Sequence, residues 1–322
     1  MSSGTLAALR SGCALLPTPC CELVCCSGAD AVRWLQGLVS NDLGGLADGQ
    51  SVGVLLLDAT GHARYEARLV LLNSELRAVL EPPPEEPCVL LITEQRAARP
   101  IAGWLDQFLI AEDARITVLE NELSVVSIQG PLADEAAGAL LTGCEPAQVV
   151  DHNRCGTGGC DIVMAANAVD PAVAKLLTSL PSAGADDWEL SRIEAGIPRW
   201  PAEFGDTVLA PELGIYAIHI STTKGCYIGQ EIVARIQARG HTNRRLCRLT
   251  ARSGRESLVG AELLAEDGGA AVGRITSAAD NGTDPGVAIA LGFVRHEHAG
   301  PGTLLHTTNG VECLVLAERN ST

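Results

Sequence analysis

Residues 224 to 231 read KGCYIGQE, which places an amine, a thiol, an amide and a carboxylate within eight positions. A thiolate is the reactive form of cysteine, and neighbouring positive charge favours it. Lys224 stands two residues before Cys226, and Arg235, Arg239, Arg244, Arg245 and Arg248 follow with Glu231 as the only acid between residues 224 and 248. Such a run suits either an anion or a solvated helix end whose cations complement the C-terminal dipole. The chain has only two lysines, Lys175 and Lys224, among 23 basic residues, so a compact ammonium stands where a guanidinium is this chain's usual choice. Gly225 and Gly229 give the backbone room for a close approach, and the stretch reads as a shaped strand-to-helix junction.

The whole chain limits what that chemistry serves. Its 322 residues suit two or three domains, and 47% hydrophobic residues mark a globular protein able to bury a sizeable core. A formal net charge of −16 argues against broad nucleic-acid binding, because phosphate would be repelled by most of the surface. No apolar run approaches the roughly 20 residues of a membrane span. The N-terminus carries one arginine and an apolar stretch broken at Ser11 and Gly12, a poor secretory signal, so a cytoplasmic location is expected. The twelve cysteines form no pair of CxxC motifs with metal-ligand spacing, and outside the motif they read as small buried hydrophobes.

The elements that must position Cys226 follow from periodicity. Residues 29 to 44 have Val32, Leu35, Leu38 and Val39 on one helical face. Residues 51 to 81 alternate as an antiparallel meander, 92 to 109 read as a helix around Pro100, and 114 to 130 as a hairpin. A helix starts near Pro131, strands are expected near 147 to 164, and helices near 171 to 180 and 186 to 197, the last with Asp186 or Asp187 as N-cap. After residue 245 short strands punctuated by Gly, Asp and Asn predict a small closed β domain.

Four stretches then carry a resemblance: KGCYIGQEIVARIQARGHTNRRL at 224 to 246, WLQGLVSNDL at 34 to 43, LLLDATGHARYE at 55 to 66 and WELSRIEAGIPRWPAEF at 188 to 204. Together and in this order they resemble the YgfZ-type folate-binding proteins of iron–sulfur cluster assembly and repair, relatives of the glycine-cleavage T-protein, an aminomethyltransferase. The resemblance implies an α+β fold: two interlocked subdomains within residues 1 to 245 around a folate cavity, the middle one at roughly 51 to 125, and a C-terminal β-barrel at 246 to 322. It implies tetrahydrofolate or another reduced folate as cofactor, with iron–sulfur client or assembly proteins as transient partners. Glu194 would meet the pterin, where one carboxylate accepts two parallel hydrogen bonds, unless it is spent on Arg192 or Arg199. Trp188 would stack on the ring or belong to the core. Arg235, Arg239 and Arg245 would meet the glutamate tail, and Tyr65, Gly225, Tyr227 and Gln230 complete the expected folate contacts.

One departure separates two functions. T-proteins carry two aspartates where this chain has Tyr65 and Glu66, and they lack the thiol of Cys226. A phenol with a reference pKa near 10 cannot replace the carboxylate. The expected function is therefore a folate-binding accessory factor for iron–sulfur proteins, with Cys226 and Lys224 as its reactive pair. A folate-dependent aminomethyl transferase or demethylase, with Glu66 as a shifted acid, is the alternative. A single cysteine cannot hold a cluster that wants four thiolates, so any cluster chemistry at Cys226 needs a partner.

Overall fold

In the computed structural model residues 3–17, 19–47, 50–84, 86–141, 144–265 and 269–317 are described. Three sheets carry them. A five-stranded antiparallel sheet runs Ser51–Leu57, Ala63–Leu71, Cys88–Glu94, Cys21–Ser27, Arg115–Leu119. A four-stranded sheet runs Ala14–Leu15, Leu123–Gln129, Gly159–Ala165, Ala147–Asp151. Arg244–Ala251, Ala288–Arg295, Ala271–Asp280, Glu262–Leu264, Leu304–Thr307 and Glu312–Val315 close into a six-stranded barrel, the last strand returning to the first.

The hairpin expected at 114 to 130 does not form. Arg115–Leu119 pairs with Cys21–Ser27, whereas Leu123–Gln129 pairs with Ala14–Leu15 and Gly159–Ala165. The chain changes sheet at Glu120–Glu122, a linker without the Asn-Gly or Asp-Gly turn that pins two-residue hairpins, so more distant partners decide the pairing. The two sheets are interlocked in consequence: Leu23, Cys25, Val70, Leu90 and Ile92 of one pack with Leu123, Val125, Val150 and Val163 of the other in a common core.

The helix expected over 29 to 44 spans only Ala31–Leu38, because Val39 leaves it in extended conformation and bridges Leu56. Its buried face carries Ala31, Trp34, Leu35 and Leu38. The helix Ala185–Ala195 is capped at Gly184, not at Asp186 or Asp187, and Asp187 instead accepts from the Gly184 N–H at 3.1 Å. Leu190 and Ile193 of this helix pack on Ala279 and Leu291 of the barrel. That contact turns the face bearing Trp188, Arg192 and Ala195 toward the space between the two sheets. Among the described residues no helix is long and apolar enough to cross a membrane.

Candidate functional site

The strand Ala63–Leu71 shows how the sequence builds a polar site on a sheet. Successive side chains alternate faces, so Tyr65, Ala67 and Leu69 pack into one core while Glu66 and Arg68 project from the opposite face. On that face a cavity of about 880 Å³ opens between the sheets, lined among others by Glu66, Arg68, Glu94, His152, Arg154, Trp188, Arg192, Arg199 and His219.

Its electrostatics are set by buried networks. Asp161 accepts from Arg154 Nη2 at 2.7 Å and lies 2.8 Å from His152 Nδ1, so one carboxylate anchors two basic groups. Burial opposes ionisation of Asp161, but Arg154 and His152 outweigh it and hold the carboxyl well below the carboxylate range. Burial and the neighbouring Arg154 push the His152 imidazole down, against the pull of Asp161. Arg192 is almost fully buried and reaches Glu189, Glu203 and Ser277.

His219 Nε2 sits 3.2 Å from Glu66 Oε1, and room for the ring comes from Gly53, where a Cβ would lie 2.8 Å from that nitrogen. Burial pushes the Glu66 carboxyl up, yet the hydrogen bond and charge of His219, with His152 and Arg68, hold it below its ordinary value. Burial raises Glu94 to about 7 in spite of Arg154. The cavity therefore holds one carboxylate kept ionised and one poised near neutrality. That pairing permits both acid and base behaviour on a bound ligand.

The signature segment lies elsewhere and its side chains divide. Lys224 is buried, and its Nζ donates to the carbonyls of Gln36, Val39 and Asn41, each at 2.7 Å. Three donors on a compact ammonium match three converging carbonyls, a geometry that a planar guanidinium cannot meet. These carbonyls belong to the end of the Ala31–Leu38 helix and the turn after it, groups left without intrahelical partners. Burial lowers the amine to about 8, with Asp42 opposing. Cys226, by contrast, is exposed, the only one of the twelve cysteines in that class.

The expected strand-to-helix junction is a loop-to-helix junction. Only Gly229 needs its glycine: its φ is +82°, and a Cβ there would lie 2.6 Å from Asp58 O, whereas nothing crowds Gly225. Tyr227 is buried with Val233 and barrel Phe293, and Gln230 opens the helix Gln230–Arg239.

The expected folate contacts are likewise spread over several places. Trp188 lines the cavity, with the Arg199 guanidinium 5.8 Å from its ring centroid. Glu194 meets neither Arg192 nor Arg199; Arg10 Nη2 donates to it at 2.7 Å. Tyr65 lies on the far side of its strand, its ring centroid 6.0 Å from that of Trp200. Arg235 bonds Glu231 at 2.6 Å on the exposed face of its helix, and Arg239 is exposed at the helix end. Arg245 lines a neighbouring cleft of about 520 Å³ against the barrel, whose wall shares Ala195, Gly196 and Gly214 with the cavity.

Arg68, Glu94, His152, Arg154 and His219 were not singled out from sequence. Charges at alternate positions 64, 66 and 68 of a strand, and one aspartate inside the apolar run GCDIVMA, are the signals that mark a polar face and a paired buried acid.

This arrangement, two interlocked α+β units around a cavity and a closed barrel behind, is the T-protein fold. The chain superposes on the glycine cleavage system aminomethyltransferase T from Bartonella henselae with a TM-score of 0.79 over 98% of this chain and 88% of that one, at 18% identity. In sequence it is similar to the tRNA-modifying protein YgfZ of Yersinia enterocolitica, 28% identical over 253 residues that cover 75% of this chain and 72% of the relative. The tRNA-modifying protein YgfZ of Yersinia pestis is 27% identical over 251 residues, with the same coverage. The similarity to these relatives thus extends over three quarters of the chain. No family model matches it.

Proposed function

We propose that the protein binds a reduced folate in the central cavity and, loaded with it, supports the assembly or repair of iron–sulfur clusters in client proteins. The observation that carries the reading is the cavity itself. Its volume of about 880 Å³ falls in the range of small-molecule sites, and it joins an indole to several fixed arginines and carboxylates, as a flat, polar-edged, anionic ligand requires. The residues present fit tetrahydrofolate. Titration of the protein with tetrahydrofolate, followed by tryptophan fluorescence and calorimetry, is expected to show one saturable site; absence of binding up to millimolar ligand overturns the reading.

Support for the cluster role comes from Cys226, a surface thiol that a partner can reach. Among the described residues no group of three or more histidine, cysteine, aspartate or glutamate side chains is placed to hold a metal ion. A cluster ligated here would thus be shared with a client. The relatives' name suggests tRNA modification as the process served, and the net charge of −16 favours an indirect part in it over broad RNA binding. Cells lacking the protein are expected to lose iron–sulfur enzyme activity, with recovery on expression of the wild type but not of Cys226→Ser at equal protein level.

Glu66 supports a second reading. Its ionised carboxylate faces the cavity beside His219, where an aminomethyl transferase needs an acid–base group. Formation of methylenetetrahydrofolate from an aminomethyl donor by the purified protein would favour it over the accessory role.

A further inference from the structure

Among the described residues five arginines line the central cavity: Arg10, Arg68, Arg154, Arg192 and Arg199. Four end on a carboxylate, Arg10 on Glu194, Arg154 on Asp161, Arg192 on Glu189 and Glu203, and Arg199 on Glu189. Among the described residues the Arg68 side chain makes no hydrogen bond or ion pair. Its strand neighbour on the same face, Glu66, is taken by His219.

Arg68 is half-buried in the cavity wall, and a partly desolvated guanidinium without a protein partner is placed to take an anion from a ligand. Arg68 is held below the usual arginine value by burial, against the more distant charges of Glu66, Asp151 and Asp161, while Arg154 adds to the strain. Its backbone is fixed by strand partners on both sides, Gly53 and Ile92, so the side chain springs from a set point on the cavity wall.

We propose that Arg68 anchors a carboxylate of the ligand bound in the central cavity, an inference that rests on the folate reading and gives the ligand a direction. The charges around the site select the anion. Glu66 and Asp151 both line the cavity, so a doubly charged phosphate would meet about twice the repulsion met by a single carboxylate. The planar guanidinium fork fits a carboxylate through two parallel hydrogen bonds. In a folate this places the glutamyl end at Arg68 and leaves the ring for Trp188, whereas Arg235 and Arg239 stand exposed on their helix.

The test compares three probes by calorimetry on wild type, Arg68→Met and Arg245→Met: tetrahydrofolate, 6-methyltetrahydropterin (the ring without a carboxylate) and p-aminobenzoylglutamate (the carboxylate half without the ring). Arg68→Met is expected to weaken tetrahydrofolate and p-aminobenzoylglutamate by at least about tenfold and to leave the pterin within about twofold. Unchanged tetrahydrofolate affinity, equal loss for the bare pterin, or loss in Arg245→Met in place of Arg68→Met overturns the proposal. If p-aminobenzoylglutamate binds in an Arg68-dependent way while neither pterin compound binds, the anchor stands and the folate reading falls. If no probe binds the wild type, both fall. A second readout separates ligand anchor from structural support: ligand-free Arg68→Met is expected to melt at or above the wild-type temperature, since the substitution removes a half-buried cation that has no protein partner. A lowered melting temperature would assign Arg68 to the fold and overturn the anchor.

Discussion

The signature loop at 224 to 231 and the central cavity contrast in where their chemistry comes from. The loop gathers an amine and a thiol in eight consecutive residues, yet folding sends the amine inward to three carbonyls and leaves the thiol at the surface. The cavity draws Glu66, Arg68, Glu94, His152 and His219 from four separate segments and turns them toward one space. Proximity in sequence thus made a structural clasp and an exposed handle, while proximity in space made the candidate binding site. Conspicuous local motifs report on backbone demands as readily as on chemistry.

Removing the central ion of each region is the strongest way to break this contrast. Asp161→Asn leaves Arg154 and His152 short of a buried carboxylate, and Lys224→Met leaves three carbonyls without their ammonium; each is expected to cost about 3–5 kcal/mol in denaturant unfolding. Lys224→Arg should recover only a minor part of the loss, because the geometry and not the charge alone is used. Full stability of Lys224→Met would return the amine to the list of free reactive groups.

Gly229→Ala comes next. A positive φ and a Cβ 2.6 Å from Asp58 O predict a loss of about 2–3 kcal/mol by thermal or chemical unfolding, while Gly225→Ala, uncrowded, should stay within about 0.5 kcal/mol. Equal effects at the two glycines would show that the loop as a whole, and not one turn, is constrained.

A smaller effect, specific to the cavity, is expected from pH. Glu94 titrates at about 7 when folded against an ordinary value of 4.5, so the folded state binds the extra proton between these values. Its contribution to stability is complete below pH 4.5 and is lost as pH rises through 7. Stability curves of wild type and Glu94→Gln from pH 5 to 8 should therefore diverge, the wild type falling relative to the mutant as pH rises. Parallel curves would remove Glu94 from the groups that tune the cavity.

The smallest effect should be that of Cys226→Ser on folding, within about 0.5 kcal/mol, since the side chain is exposed. Unchanged stability combined with lost iron–sulfur support would separate handle from clasp within three residues. A destabilised Cys226→Ser would make the thiol part of the structure.

The barrel and the meander strands were legible in the sequence because alternation and turn residues are local signals, and the four motifs marked the fold because they lie in one order along the chain. The hairpin at 114 to 130 was misread for the complementary reason. Its strands are neighbours in sequence, but their partners at 23 to 27 and 159 to 165 lie far away, and no local pattern encodes that choice. The cavity was half legible. Glu66 and Trp188 stood inside motifs, whereas Arg68, Glu94 and His219 gained meaning only when the sheets met.

The sheet change at Glu120–Glu122 also bears on the order in which the sheets can form. The strand Ala14–Leu15 finds its partner only at Ile128 and Gln129, more than a hundred residues later, and the five-stranded sheet lies wholly between them. A chain emerging from the ribosome can complete that inner sheet while its first strand still waits for a mate. The outer sheet can then close around a finished insert, so the cavity between them exists only once both sheets are in place. Until then its arginines and carboxylates stand in water, where their charges cost nothing to keep.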